Sequence, residues 1–316
     1  MPARLLGRDG YLTLHQNGIE SLRLITDASC WLGDRSLALN QFQRLKRFSW
    51  SGLRTELDFV SLNGVFENCA HHLVELEVDF VDWEELEDLW DNLGYADHPF
   101  ESLLRRIPRS STRCRFPALE RLSLSNLDLR SATRMMASAF NSSHLRSLAL
   151  RQCPGWDRFL QCLLEHTDQL HVQSLEIQNS SLDDDHYYDY SIQTILESLV
   201  GVEDLYLSLW CPVSSRMLWE TLQRQKETLK RFIFQSRSIN LDEESEHFEA
   251  AMDVNDMGFL GLASLATLSS SEEDYKDGAD DNWFDETHPN PLNKLDLECL
   301  GLACAPDCLV SRPAPA

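Results

Sequence analysis

The stretch 144–156, "HLRSLALRQCPGW", decides how the rest of the chain is read. Leu145, Leu148 and Leu150 are spaced three and then two apart, and Cys153 follows three residues later. An amphipathic helix needs apolar residues at i, i+3, i+4 and i+7, which this run lacks. The step of two puts Leu148 and Leu150 on one face of a short strand, with Ala149 on the other. Leu145 begins the approach to that strand. Cys153, small and weakly polar, is expected to turn into the core where the chain bends away.

The same spacing recurs. Val172, Leu175 and Ile177 repeat it 27 residues later, with Ser180 in the place of the cysteine. Val202, Leu205 and Leu207 follow, then Leu229, Phe232 and Phe234. Upstream stand Leu119, Leu122 and Leu124, and before them Leu73, Leu76 and Val78. Ile19, Leu22 and Leu24, and Leu45, Phe48 and Trp50, are degenerate early copies. "PLNKLDLECLGL" supplies a last one, with Leu292, Leu295, Leu297, Leu300 and Leu302. This is the leucine-rich-repeat pattern L-x-x-L-x-L-x-x-N/C-x-L. It predicts parallel strands at 73–78, 119–124, 145–150, 172–177, 202–207, 229–234 and 292–297.

Segments between the strands read as helices. In 156–167, Phe159, Leu160, Leu163 and Leu164 share one helical face; in 214–229, Met217, Leu218, Leu222 and Gln225 do so. A shorter helix is expected at 131–140. The predicted fold class is therefore α/β: a leucine-rich-repeat solenoid with parallel strands on the concave side and helices on the convex side. A single unit cannot bury its own leucines, so stacking is what stabilises it.

A chain of 316 residues with 43% hydrophobic content has ample material for a core. No run of about 18 apolar residues exists to span a membrane, and the N-terminus lacks the apolar region of a signal peptide. The nine cysteines are an odd number without regular spacing. Cys69, Cys153, Cys162 and Cys211 lie in or beside the apolar pattern, which suits reduced, buried thiols in an intracellular, cytoplasmic or nuclear protein.

The net charge of −23 is unevenly spread. Between Gln235 and Pro291, fifteen acidic residues face only Arg237 and Lys276, a net of −13. That segment also breaks the period, since Leu229 and Leu292 are 63 residues apart. The expected organisation is thus irregular repeats over 1–234, an acidic and partly disordered insertion over 235–291, and a last repeat with an uncapped tail over 292–316. Low apolar content and like charges favour disorder at 269–288, where Ser269, Ser270 and Ser271 suggest docking or phosphorylation. The five arginines of 91–116 read as a basic surface excursion.

Catalytic motifs are absent: there is no phosphate-binding glycine loop, no H-E-x-x-H and no G-x-S-x-G. "DDDHYYDY" (183–190) lacks the glycine and distal glutamate of a calcium loop and reads as a solvated turn. Cys299, Cys304, Cys308 and His288 include no C-x-x-C pair, so no zinc site and no cofactor are expected. An isoelectric point near 4.7 disfavours nucleic acid.

What remains is a surface. With the leucines pointing inward, the residues between them form the opposite face of the strands. Glu75, Glu77, Arg121, Ser123, Arg151, Glu176, Asp204, Tyr206, Arg231 and Ile233 are the candidate protein-binding residues. Tyr206 and Ile233 are the apolar candidates for a hot spot.

The irregular repeats, with "LRSLALRQC" and "LDLECLGL", resemble the leucine-rich half of F-box/leucine-rich-repeat proteins, and in particular the divergent filamentous-fungal members. In these, a segment similar to "ETLKRFIFQSRSINLDEES" also leads into an acidic stretch. The resemblance covers about residues 15–302. It implies a non-catalytic adaptor that holds a substrate for a cullin-type ubiquitin ligase, with Skp1-like and cullin subunits as partners. The first candidate strand starts near Ile19, so the F-box itself is expected on a fuller chain. The alternative is a ribonuclease-inhibitor-like regulator that docks an enzyme or a GTPase. An enzyme whose active site lies within 235–291 is a more distant alternative.

Overall fold

The computed structural model describes residues 2–16, 18–26, 37–81, 83–92, 98–107, 114–165, 167, 169–179, 188–209, 218, 221–236 and 299–304. The chain divides into two compact units, Met1–Glu176 and Ile177–Ala316. Most of the acidic segment, from 237 to 298, lies outside the described residues, so the readings of 269–288 do as well.

The first unit opens with two short helices, α1 (Pro2–Leu6) and α2 (Tyr11–His15). Strands β1 (Ser21–Ile25) and β2 (Arg47–Leu53) follow. Helix α3 (Glu56–Cys69) leads to strand β3 (Glu75–Phe80). Helices α4 (Trp83–Asn92) and α5 (Pro99–Arg106) precede β4 (Arg121–Ser125). Helix α6 (Thr133–Ala139), strand β5 (Ser147–Arg151) and helix α7 (Trp156–Leu164) come next. Strand β6 (Ser174–Asn179) begins at the end of this unit. The second unit holds helix α8 (Tyr188–Ser198) and strands β7 (Asp204–Leu209), β8 (Arg231–Ser236) and β9 (Cys299–Cys304).

Strands β1 to β5 are neighbours in chain order, and every pair is parallel. The register lines the pattern positions up. Leu22, Phe48, Leu76, Leu122 and Leu148 form one row, and Leu24, Trp50, Val78, Leu124 and Leu150 the next. From Phe48 and Trp50 onward both rows are buried, as alternation along a pleated strand requires. In the second unit β7, β8 and β9 are likewise parallel, with Leu205 opposite Phe232 and Leu207 opposite Phe234. The α/β class with parallel strands is as the sequence predicts.

The strands start two residues later than expected, at Glu75, Arg121, Ser147, Ser174, Asp204 and Arg231. The leucine-type residue that opens each pattern copy, such as Leu73, Leu119 or Leu145, is buried but precedes the ladder. A shared carbonyl explains this. The Glu120 carbonyl accepts from both Arg146 N (2.7 Å) and Ser147 N (3.0 Å). The carbonyls of Glu20, Lys46, Val74 and Arg146 do the same for the next copy along, and Glu203 does so for Lys230 and Arg231. This paired bond turns the chain into the strand, so regular pairing begins only after it.

The cysteine of the opening stretch has a defined use. Gln152 adopts φ 52°, turning the chain out of β5, and Asn126 adopts φ 54° at the same point after β4. Cys153 is fully buried there, and its thiol donates to the carbonyls of Leu124 (3.4 Å) and Arg151 (3.3 Å). Burial pushes that thiol up to about 12. Cys69 is also buried, but at the end of α3, with its sulfur 3.0 Å from the Phe42 carbonyl.

Three expectations need correction. Residues 91–116 are not simply a surface excursion. They contain α5, whose Phe100, Leu103 and Leu104 are buried together with Ile107 just beyond its end. These sit at i, i+3, i+4 and i+7, and Phe100 packs edge-on against Phe66 of α3. Phe66 also meets Phe116, which stacks on Phe140. The final strand lies at Cys299–Cys304, so Leu300 and Leu302 take the register positions opposite Phe232 and Phe234. The run "LDLECLGL" alternates twice over, and alternation alone cannot choose between the two halves; 292–297 lies outside the described residues. Finally, Tyr188 to Tyr190 open helix α8 rather than completing a turn, while 183–187 lies outside the described residues.

Candidate functional site

In the first unit the non-core face of the sheet carries six of the ten candidate residues. Register places Glu75 opposite Arg121 and Glu77 opposite Ser123, with Ser147 and Ala149 next to them on β5. Arg151 is the last residue of β5, and Glu176 lies on β6.

These residues are organised by pairs. Arg151 holds Glu176 with two nitrogens, Nε on Oε1 and Nη2 on Oε2, each at 2.6 Å. Its third nitrogen, Nη1, donates to Ser123 Oγ at 3.0 Å. The guanidinium pKa is held above its ordinary value chiefly by the bond to Glu176, with burial opposing and the charges of Glu77 and Asp79 assisting. Arg121 approaches Glu75 at 3.5 Å and is more exposed. Glu77 accepts from Ser49 Oγ at 2.7 Å, and Asp79 accepts from Asn126 Nδ2 at 2.9 Å. Strand β3 thus presents three carboxylates at alternate positions, each tied to a different neighbour.

Several of these residues border an open hollow of about 200 Å³. Glu75, Glu77, Arg121, Arg151 and Glu176 ring it, and Ser147, Ala149 and Ser174 form a floor of small residues. Small-molecule pockets usually run from about 300 to 1,000 Å³. The hollow therefore suits one inserted side chain better than a whole ligand.

The second unit carries the other four. Arg231 grips Asp204 with two nitrogens, at 2.6 and 2.5 Å. Tyr206 and Ile233 are register partners, and both are half-buried.

Ser49 and Asn126, which orient Glu77 and Asp79, were not among the sequence candidates. Register is the signal that finds Ser49, which pairs with Glu77 across β2 and β3. Asn126 is marked only by its left-handed backbone, which asparagine tolerates better than most residues.

Among the described residues no group of three or more histidine, cysteine, aspartate or glutamate side chains could hold a metal ion. Cys299 and Cys304 lie at the two ends of β9, while His288 and Cys308 lie outside the described residues. Among the described residues no helix is long and apolar enough to cross a membrane. The chain matches no protein-family model, no curated protein and no solved structure.

Proposed function

We propose that this chain is a leucine-rich-repeat solenoid that works as a non-catalytic protein-interaction scaffold, the substrate-recognition part of an F-box-type ubiquitin-ligase adaptor. The observation that carries the scaffold reading is the charged sheet face of the first unit. Its side chains are fixed in rows by strand register and oriented by ion pairs and hydrogen bonds rather than left to solvent. Preorganised polar groups around a side-chain-sized hollow favour recognition of a protein surface, because less rotamer freedom is lost on binding. The ligase reading rests on the sequence resemblance alone.

Affinity capture of the full chain from its source cell tests both parts. Co-recovery of Skp1-like and cullin subunits together with a client protein supports the adaptor reading. A client recovered without those subunits leaves the scaffold reading and removes the ligase. The double variant Glu77→Arg/Glu176→Arg should lose the client while keeping any ligase subunits, since it reverses charge only on the sheet face. Retention of the client in that variant would move binding elsewhere on the chain.

A further inference from the structure

The hollow on the sheet face of the first unit carries a charge that its ion pairs leave over. Its lining includes three carboxylates, Glu75, Glu77 and Glu176, and two guanidinium groups, Arg121 and Arg151. Arg151 is committed, with Nε and Nη2 on Glu176 and Nη1 on Ser123. Arg121 lies 3.5 Å from Glu75. Those two pairs cancel in charge, so the lining keeps the negative charge of Glu77. Just outside it, Asp79 on β3 and Arg47, the register partner of Glu75, offset one another.

Glu77 is half-buried, and its hydrogen bond among the described residues comes from a neutral donor. Ser49 Oγ donates to Oε2 at 2.7 Å, which leaves Oε1 open. The floor of the hollow adds further acceptors. Among the described residues the hydroxyls of Ser147 and Ser174 have no hydrogen-bond partner, and both side chains are half-buried. Ala149, 7% exposed, is the apolar part of that floor.

We infer that the hollow receives a lysine side chain of the client, an inference that rests on the sheet face being the binding face. An ammonium group brings three donors and no acceptor. Glu77 supplies the opposite charge, the serine hydroxyls accept, and the apolar stem of the lysine covers Ala149. Arginine suits the site less well, because its fork is matched by a carboxylate with both oxygens open, and Ser49 already occupies one of them. An acidic guest meets guanidinium groups that already face carboxylates.

The test is selection of a phage-displayed library of random peptides on the immobilised full chain. Peptides that bind the wild type but not Glu77→Arg/Glu176→Arg are sheet-face ligands; if that variant does not fold by circular dichroism, Ser147→Arg, which fills the hollow, defines them instead. These ligands should share a lysine. Acetylating its Nζ should weaken binding about fivefold or more, and Glu77→Gln, which keeps the size of the side chain, should do the same. Acetylation should add little in Glu77→Gln, since both changes remove one interaction. Glu227→Gln removes an equal charge at an exposed site elsewhere and should leave binding unchanged. Sheet-face ligands anchored by arginine, by an acidic residue or by an apolar one, or a lysine whose acetylation costs nothing, would overturn this inference and leave the scaffold reading standing. Recovery of no sheet-face ligand would overturn the scaffold reading and this inference with it.

Discussion

Arg151 and Glu176 meet through two parallel hydrogen bonds of 2.6 Å, and they do so diagonally, from the end of β5 to the middle strand positions of β6. The same guanidinium reaches back to Ser123 on β4. One side chain therefore ties together three strands on the candidate face. Lysine has the charge but not the fork, so Arg151→Lys should lose the two-point grip. The expected cost is about 1 kcal/mol, since the pair is only partly shielded from water. Chemical denaturation of Arg151→Lys beside Glu176→Gln checks it, and the double variant should cost less than the sum of the two single ones.

Leu148 is 1% exposed and continues the row of buried strand residues that includes Leu122. Leu148→Ala should cost about 2–5 kcal/mol, the range for deleting a buried leucine from a packed core. Thermal unfolding measures it; an unchanged midpoint would mean that the row does not carry the core. Ser147, the adjacent residue on the opposite face, should tolerate alanine with little loss.

Gly52 lies where the register between β2 and β3 shifts, at φ 96°. A Cβ there would run into the Thr26 carbonyl. Thr26 is itself committed, donating to the Gly52 carbonyl at 2.8 Å and accepting from Trp50 Nε1 at 3.1 Å. Gly52→Ala should therefore cost about 3 kcal/mol or more, by combining left-handed strain with a backbone collision. Urea titration against Gly18→Ala is the control, since nothing lies within 4 Å of where the Gly18 Cβ would stand.

His98 precedes α5, and its ring packs against Trp83 with centroids 5.1 Å apart. Among the described residues neither ring nitrogen has a hydrogen-bond partner. Burial lowers its pKa below the ordinary 6.5, with Asp128 and Glu101 opposing. Folding thus favours the neutral ring. Its contribution is fully present above about pH 6.5 and erodes as pH falls below that value. Stability measured between pH 8 and pH 5 should decline, and His98→Gln should flatten part of that decline. His72 shifts in the same direction, through burial and its neighbours His71 and Lys46, and accounts for a further part.

Cys153 supplies a chemical check. Its thiol is fully buried and pushed up to about 12, so almost none is thiolate at neutral pH. Iodoacetamide should leave Cys153 unmodified in the folded protein and label it on unfolding. Mass spectrometry of the corresponding peptide gives the answer.

The strands were legible because burial imposes a strict alternation, and Leu148 and Leu150 show it in a single stretch. Their starting points were not, because the delay comes from backbone bonds such as that of Glu120, which no side chain announces. Helix α5 was hidden by its setting. Its surroundings are rich in arginine, while Phe100, Leu103, Leu104 and Ile107 keep a helical spacing over too few residues to stand out from that charge. For the candidate face, the residue types were visible but their partners were not. Glu77 pairs with Ser49 through register, whereas Arg151 reaches Glu176 by a diagonal that depends on rotamer as well as register.

The shared carbonyl at the mouth of each strand has a consequence for how this sequence can change over time. Its six acceptors belong to Glu20, Lys46, Val74, Glu120, Arg146 and Glu203, side chains that are acidic, basic and apolar. The bond draws only on the main chain, so mutation at these sites does not disturb it. The side chains at these positions are free to do other work, and some form cross-links: Lys46 meets Glu20 at 3.0 Å, and Lys230 meets Glu203 at 2.9 Å. A joint that ignores the identity of its residues lets the spelling of the chain wander far while the architecture stays put.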